Sequence, residues 1–271
     1  MTAREDTNLL AVIDQLAQNG AAGFEWYKDT CLVRRIEVRM RALGAESLLA
    51  YSVMLRDDPA EIDRLLHTIS VRVTGFFRNP DTWQALRSLL EFEGIGARGR
   101  VAAWSMGCST GEEAWSLAML LTDQAVRAGA PPADQVHVHA SDVDPQAVAA
   151  GQAGRYLPAV TVAIREVMSR NHGSIREGHF EVDAALRSRV SFRREDLTAE
   201  VSPPESCDLI CCRNLLIFLS REGQRRVLDS AFRALRPSGL LMLGRTESLV
   251  AMPEPRLTPV DITHRIYRRT P

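Results

Sequence analysis

Lysine is all but missing from this chain: Lys28 is the single lysine among 33 basic residues, and arginine supplies the rest. An arginine-rich proteome produces that bias without a functional cause, so no function is read from it. An excess of either charge is missing too. The 33 Lys and Arg face 34 Asp and Glu, and a formal net charge of −1 gives no global field toward nucleic acid or a membrane surface. No apolar run approaches the ~20 residues that cross a bilayer. Residues 1–6 are polar and charged and lack the apolar core of a signal peptide, so the expected location is the cytoplasm. Five cysteines (Cys31, Cys108, Cys207, Cys211 and Cys212) form no CxxC pair. An odd, unpaired set argues against a disulfide framework and against zinc. The last three sit in or beside an apolar stretch that reads as a buried strand, where small thiols pack well. No internal repeat or low-complexity tract is present.

What is present is ordinary globular material: 271 residues, 45% hydrophobic and 25% charged, enough for one large or two modest domains. The first eighty-odd residues read as helices without a strand. Leu9, Leu10, Ile13 and Leu16 recur at helical spacing. A second helix is predicted over 25–43, closed by Gly44. Two more are predicted over 47–55 and 60–70, separated by the Asp57-Asp58-Pro59 break.

From residue 100 the pattern changes. Short apolar runs (101–106, 136–140, 190–193, 207–212, 240–243) alternate with amphipathic helices (112–128, 145–153, 222–235). Such alternation implies βαβ units and a doubly wound, mostly parallel sheet. It lapses over 163–190, where His179–Val182 resembles a short strand; an inserted subdomain is expected there. Pro253 and Pro255 precede a final predicted strand pair, 257–263 and 264–268. The division expected is a helical domain over 1–85 and an α/β domain over 86–271, with 93–99 as the best linker candidate.

The first strand runs into Gly107-Cys108-Ser109-Thr110-Gly111-Glu112-Glu113, and a helix follows at once. A glycine-bearing turn there lets a nucleotide-like ligand approach the backbone at a topological switch. A dinucleotide site would use a third glycine and seat pyrophosphate on the helix N-terminus. Here two carboxylates occupy that turn, and each charge at about 4 Å opposes a diphosphate by ~1–4 kcal/mol. One of Glu112 and Glu113 suits a cationic ligand; both also complement the helix dipole. After the second strand come Asp142 and Asp144. Asp142 is placed to accept from ribose hydroxyls, and Asp144, followed by Pro145, reads as a helix cap. His137 and His139 lie on one face of a strand with no third metal ligand apparent, so no metal site is expected.

Taken in order, Thr74-Gly75-Phe76-Phe77-Arg78, Cys108 to Glu113, Ser141-Asp142-Val143-Asp144, Cys212-Arg213-Asn214, Gly244 and Glu247-Ser248 resemble the chemotaxis receptor-glutamate methyltransferases, the CheR family. Tyr27-Lys28, Arg34-Arg35 and Gly154-x-Tyr156 fit the same pattern, and the resemblance covers about residues 24–250. It implies a class I S-adenosylmethionine-dependent methyltransferase fold, with a small antiparallel subdomain inserted and an all-α domain in front. It further implies methyl transfer from S-adenosylmethionine, leaving S-adenosylhomocysteine, to glutamate side chains of chemoreceptors. Carried over by position, Thr74, Arg78, Glu113, Asp142, Asp196, Leu197, Arg213 and Asn214 would line the cofactor site. Arg78, Arg213 and Phe218 would face the reacting centre.

That chemistry needs little machinery. A glutamate is ionised at neutral pH, its unperturbed pKa being ~4.3, so no general base is required. The protein must align the carboxylate, at roughly 3–3.5 Å from the methyl group, and strip its water. The lack of a Ser-His-Asp or Cys-His set is consistent with this. Arg78 and Arg213 can orient a carboxylate through paired hydrogen bonds. The basic second helix, with Lys28, Arg34, Arg35, Arg39 and Arg41, is the expected contact for an acidic receptor coiled coil; charge runs are otherwise solvated faces. A monomer is expected, with no nucleic acid partner and no membrane insertion. The chain departs from the family at Phe218 (commonly tyrosine), Asp196 (commonly asparagine), Arg245 (frequently histidine) and Ala114 (frequently proline). Residues 169–182 lack the glycine-rich look of members that grip a receptor tether. A cofactor-binding regulatory module with weak turnover is the alternative; a nicotinamide dehydrogenase is disfavoured by the missing glycine and the paired glutamates.

Overall fold

The structure, a computed structural model, describes residues 7–19, 22–70, 73–97, 99–129, 136–157, 172–199, 206–249 and 256–270. Helices α1 (Thr7–Gln18), α2 (Asp29–Leu43), α3 (Leu48–Asp57) and α4 (Pro59–Ile69) form a helical unit, with a 3-10 turn at Ala22–Trp26 between the first two. Their ends follow local chemistry. Gly44 takes φ 67° and closes α2. The Ser47 hydroxyl accepts from the Ala50 amide to start α3, and Asp58 both ends α3 and caps α4 with Pro59 in the first turn. Leu9, Leu16, Leu32, Ile36, Tyr51, Leu55, Leu65 and Leu66 are fully buried between these helices. Within the unit Glu61, 1% exposed, accepts from Arg39 Nε and Nη2 at 2.8 and 2.7 Å and from the Tyr51 hydroxyl at 3.0 Å. Helices α2, α3 and α4 are thus tied at one point.

The remainder is built on β1 (Val101–Met106), β2 (Val136–Asp142), β3 (Arg155–Tyr156), β4 (Gly173–Arg176), β5 (His179–Val182), β6 (Val190–Arg194), β7 (Cys207–Cys212), β8 (Leu235–Leu243), β9 (Leu257–Asp261) and β10 (Ile266–Arg269). Seven strands run in the order β6-β2-β1-β7-β8-β10-β9. The first five are parallel, and β10 is antiparallel to both neighbours. Because β1 lies between β2 and β7, the chain leaves its two sides in opposite directions and opens a crevice at the carboxyl ends. Side chains alternate as strand geometry requires. Leu209, Cys211, Leu240 and Met242 enter the core with α6 (Glu112–Arg127), while Ile210, Cys212, Leu241 and Leu243 enter the one under helix Arg221–Ala234. The thiols of Cys207, Cys211 and Cys212 are buried filling, and burial pushes each up from the usual thiol range.

β3, β5 and β4 form the separate antiparallel sheet expected of an insertion; residues 163–171 of that expected segment lie outside the described residues, as do Pro253 and Pro255. Helix α5 (Pro80–Phe92) straddles residue 85, and its Trp83, Leu86 and Leu90 belong to the sheet's core. Within the 93–99 stretch, Ile95 is buried in that core and Glu93 pairs with Arg268. β8 begins at Leu235, five residues before the expected strand, because Ser238 at φ 65° and a register shift against Cys207–Leu209 let it bend past Pro237. The last strand starts at Ile266 after a turn over 262–265.

Candidate cofactor site

The turn after β1 is held open by backbone conformation. Gly107, Ser109 and Gly111 all take positive φ (70°, 50° and 94°). A Cβ at Gly111 would stand 2.8 Å from Gly151 Cα and 3.0 Å from the Phe192 ring, so only glycine lets α6 and α7 (Pro145–Ala153) approach so closely. The amides of Gly107 and Cys108 donate to the Ser141 carbonyl, which fastens the turn to the end of β2.

At that end Asp142 Oδ2 accepts from the Ser109 amide at 2.8 Å, and Oδ1 from the Asp144 amide at 3.0 Å. Asp144 caps α7 through the amides of Gln146 and Ala147, as the Asp-Pro pair indicates. His67 of α4 stands 3.7 Å from its other oxygen. Of the two glutamates, Glu112 turns to the Thr110 hydroxyl at 2.7 Å. Glu113 faces the crevice.

Two cavities meet there. One, of about 700 Å³, is lined by Asp142, Asp196, Leu197, Asn214 and Phe218 from the sheet unit and by Phe24 and Tyr27 from the helical unit. The other, of about 420 Å³, is lined by Thr74, Arg78, Glu113, Arg213 and Asn214. Gly107, Ser109 and Asn214 border both. All the candidate residues named from the sequence therefore line this pair of cavities, divided between its two lobes.

Within the smaller lobe the charges are layered. Arg213, 2% exposed, donates Nη1 to Glu113 at 3.3 Å and Nη2 to the Arg78 carbonyl and Asn79 Oδ1, both at 2.9 Å. Its Nε and the Ser109 hydroxyl are buried polar atoms with no hydrogen-bond partner. Arg78, half-exposed, donates to the Val73 carbonyl at 2.6 Å. Among the described residues, Glu113 accepts only from Ser105 Oγ at 2.8 Å besides Arg213. Burial pushes its carboxyl above the usual range, and Arg213 and Ser105 offset only part of that.

Two family models match the chain: CheR methyltransferase, all-alpha domain, over residues 11–70, and CheR methyltransferase, SAM binding domain, over residues 72–266. The chain belongs to the CheR methyltransferase family. A chemotaxis protein methyltransferase of Klebsiella aerogenes is 31% identical over 231 residues, covering 82% of this chain and 76% of that one. An uncharacterized 104.1 kDa protein of Rhodobacter capsulatus is 31% identical over 262 residues; the match takes in 95% of this chain, which spans only 27% of that relative's length. The fold is also similar to magnesium protoporphyrin IX methyltransferase from Synechocystis PCC 6803, solved with bound SAH, at 16% identity and a TM-score of 0.35, covering 60% of this chain and 53% of that one.

The sheet unit is the S-adenosylmethionine-binding domain of a CheR methyltransferase, and the residues lining its cavities fit that cofactor. Glu113 is an under-paired carboxylate of the kind that a sulfonium or ammonium calls for, and the unpartnered Arg213 Nε and Ser109 hydroxyl border the same space. Asp196 is held differently from a free ligand: Oδ2 accepts from the Gly23 amide at 2.5 Å, and Oδ1 from the amide and hydroxyl of Thr198 at 3.1 and 2.7 Å. Leu197 is buried beside it.

Sequence reasoning passed over three supports. Glu247, named only as part of a motif, is buried and accepts from the amides of Asn214, Gly244 and Ile217 at 2.7, 2.7 and 3.3 Å. It holds the turn carrying Asn214, whose φ is 60°. Burial raises its carboxyl, against the pull of those amides. Tyr27, flagged only as a family match, lines the larger lobe and pairs across an isolated bridge with Leu219. Lys28 donates its backbone amide to the Phe218 carbonyl at 2.9 Å and Nζ to the Ile217 carbonyl at 2.6 Å, so the lone lysine braces the pocket wall. Among the described residues no group of three or more His, Cys, Asp or Glu is arranged to hold a metal ion. None of their helices is long and apolar enough to cross a membrane.

Proposed function

We propose that this protein transfers a methyl group from S-adenosylmethionine to glutamate carboxylates on a chemoreceptor's cytoplasmic coiled coil, forming methyl esters, and that it works in the cytoplasm as a monomer. The observation that carries this reading is the charge arrangement of the smaller lobe: Glu113 under-paired and nearly buried, with Arg78 half-exposed at the rim. The cofactor supplies an electrophilic methyl on a sulfonium. The chain's own groups do the rest. Asp142 orients the ribose through its carboxylate, Glu113 receives the cofactor's positive end, and Arg78 and Asn214 flank the position that the substrate carboxylate enters. Arg213 acts mainly from behind, because its donors already hold Glu113 and the 78–79 turn. Phe218 offers an apolar wall without a hydroxyl.

Receptor docking on α2 is best supported for Arg34 and Arg41, which are exposed, and Arg35, which is half-exposed. Arg39 belongs to the Glu61 ion pair, and its role is structural. We place the division between the units ahead of α5, between residues 70 and 80, since that helix packs with the sheet.

The test is a titration of the purified chain with S-adenosylhomocysteine, followed by labelled methyl donor and receptor cytoplasmic fragments. Base-labile label on the receptor supports the reading; tight binding with no label on any fragment sinks it in favour of a regulatory module. Phe218 and the fully engaged carboxylate of Asp196 are what favour that second reading.

A further inference from the structure

The larger lobe has a wall that does not come from the methyltransferase sheet. Residues 23–28 run across it as a strap, presenting the Phe24 and Tyr27 rings, whose centroids are 4.6 Å apart. The strap is fastened at its far end by backbone bonds, Lys28 N–H to the Phe218 carbonyl, Ser220 N–H to the Trp26 carbonyl and the Tyr27–Leu219 bridge, with Lys28 Nζ on the Ile217 carbonyl and Arg226 over the Trp26 ring beside them. At the near end it is fastened by one side chain. Asp196 Oδ2 takes the Gly23 amide, and Oδ1 is itself fixed by the amide and hydroxyl of Thr198. There is no slack at that point. A Cβ on Gly23 would fall 1.7 Å from Thr198 Oγ1 and 2.1 Å from Asp196 Oδ1.

We infer that Asp196 is a positioning residue, a latch that closes the strap of the helical unit over the adenosyl end of the cofactor site. It does this in place of a direct contact with the cofactor. This rests on reading the cavity as the S-adenosylmethionine site. The chemistry of the group supports the assignment. Both oxygens face donors, and only a carboxylate accepts on both sides; an amide would turn an NH2 against the N–H of Gly23 or of Thr198. A charge-assisted bond from a backbone amide is also among the stronger hydrogen bonds. Because the latch closes a wall of the cavity, closing the strap and filling the cavity stabilise each other, and by linkage each must strengthen the other equally.

Hydrogen exchange at amides 23–28 and calorimetric titration with S-adenosylhomocysteine test this on the full chain, using the near-isosteric Asp196→Asn. The expected result is exchange over 23–28 about tenfold faster than in the parent, affinity about tenfold weaker, and protection restored at saturating ligand. Thr198→Val, which removes one donor to the latch, should shift both readouts in the same direction by less. Weaker binding with parent-like exchange over 23–28 would mean that Asp196 touches the cofactor directly, and the latch is wrong. Faster exchange with unchanged affinity overturns the coupling. If the parent itself binds no S-adenosylhomocysteine, the cofactor reading fails, and the coupling fails with it; unaltered exchange in Asp196→Asn then overturns the latch as well.

Discussion

Glu61 in the helical unit and Glu113 in the first turn of α6 are both nearly buried carboxylates facing an arginine, and they behave oppositely. Burial pushes Glu61 up, but hydrogen bonds from Arg39, Tyr51 and Arg64 outweigh it, and its carboxyl sits below the usual range. Glu113 has one hydroxyl and a single 3.3 Å contact to Arg213, and its carboxyl sits above the usual range. The difference is one of completeness. A carboxylate that finishes a structure is saturated by its own chain; Glu113 is left short of donors, at a cost in stability, as the proposed role of receiving a cation requires.

The comparison is most easily broken at Glu61. Glu61→Gln keeps the shape but leaves Arg39 and Tyr51 without their anion, and should cost about 2–4 kcal/mol in urea or thermal unfolding. A change under about 0.5 kcal/mol would mean that this pair is not the tie between α2, α3 and α4. Glu113→Gln also takes the anion from a buried arginine, but it relieves a carboxylate that burial disfavours, so its cost in stability should be well below that of Glu61→Gln, while S-adenosylhomocysteine affinity falls about tenfold or more, near 1.4 kcal/mol. Parent-like affinity in a calorimetric titration would remove Glu113 from the site. Ser105→Ala takes away the best donor to Glu113; roughly 1 kcal/mol or less of stability is expected to go with it, read from the same unfolding curves.

The two carboxylates should also separate with pH. Glu61 is depressed, so its contribution is fully present above the unfolded value of ~4.3 and is lost as pH falls through the lower folded value. Glu113 and Glu247 are raised. Their contribution is present below ~4.3 and is lost as pH rises through the higher folded values. Unfolding free energies taken across pH 3–8 should therefore show Glu61→Gln flattening the acid side and Glu113→Gln flattening the side above. Parallel curves for the two variants would erase the distinction.

The α/β alternation, the Gly44 stop, the Asp144 cap and the glycine-bearing turn after β1 were all legible because each is local: a period, a cap or a glycine at a fixed offset. What sequence could not carry was pairing over distance. Arg39 looked like part of a basic face because a periodicity sees only its own helix, whereas Glu61 lies 22 positions on. Gly23 and Asp196 are 173 positions apart, and nothing near either announces the other. Spacing alone left Glu112 and Glu113 open; the resemblance named Glu113, and the Thr110 hydroxyl turns Glu112 aside. The early start of β8 was hidden by Pro237 and Ser238, which read as a turn and are accommodated as an irregularity against β7.

Lys28 has a practical consequence. It is exposed, it is the chain's one lysine, and its Nζ rests on the Ile217 carbonyl where the helical unit meets the cofactor crevice. An amine-directed dye therefore has one side-chain address in the molecule. That address is at the seam, so a fluorophore placed there would read opening and closing of the crevice by its emission, without any engineered cysteine.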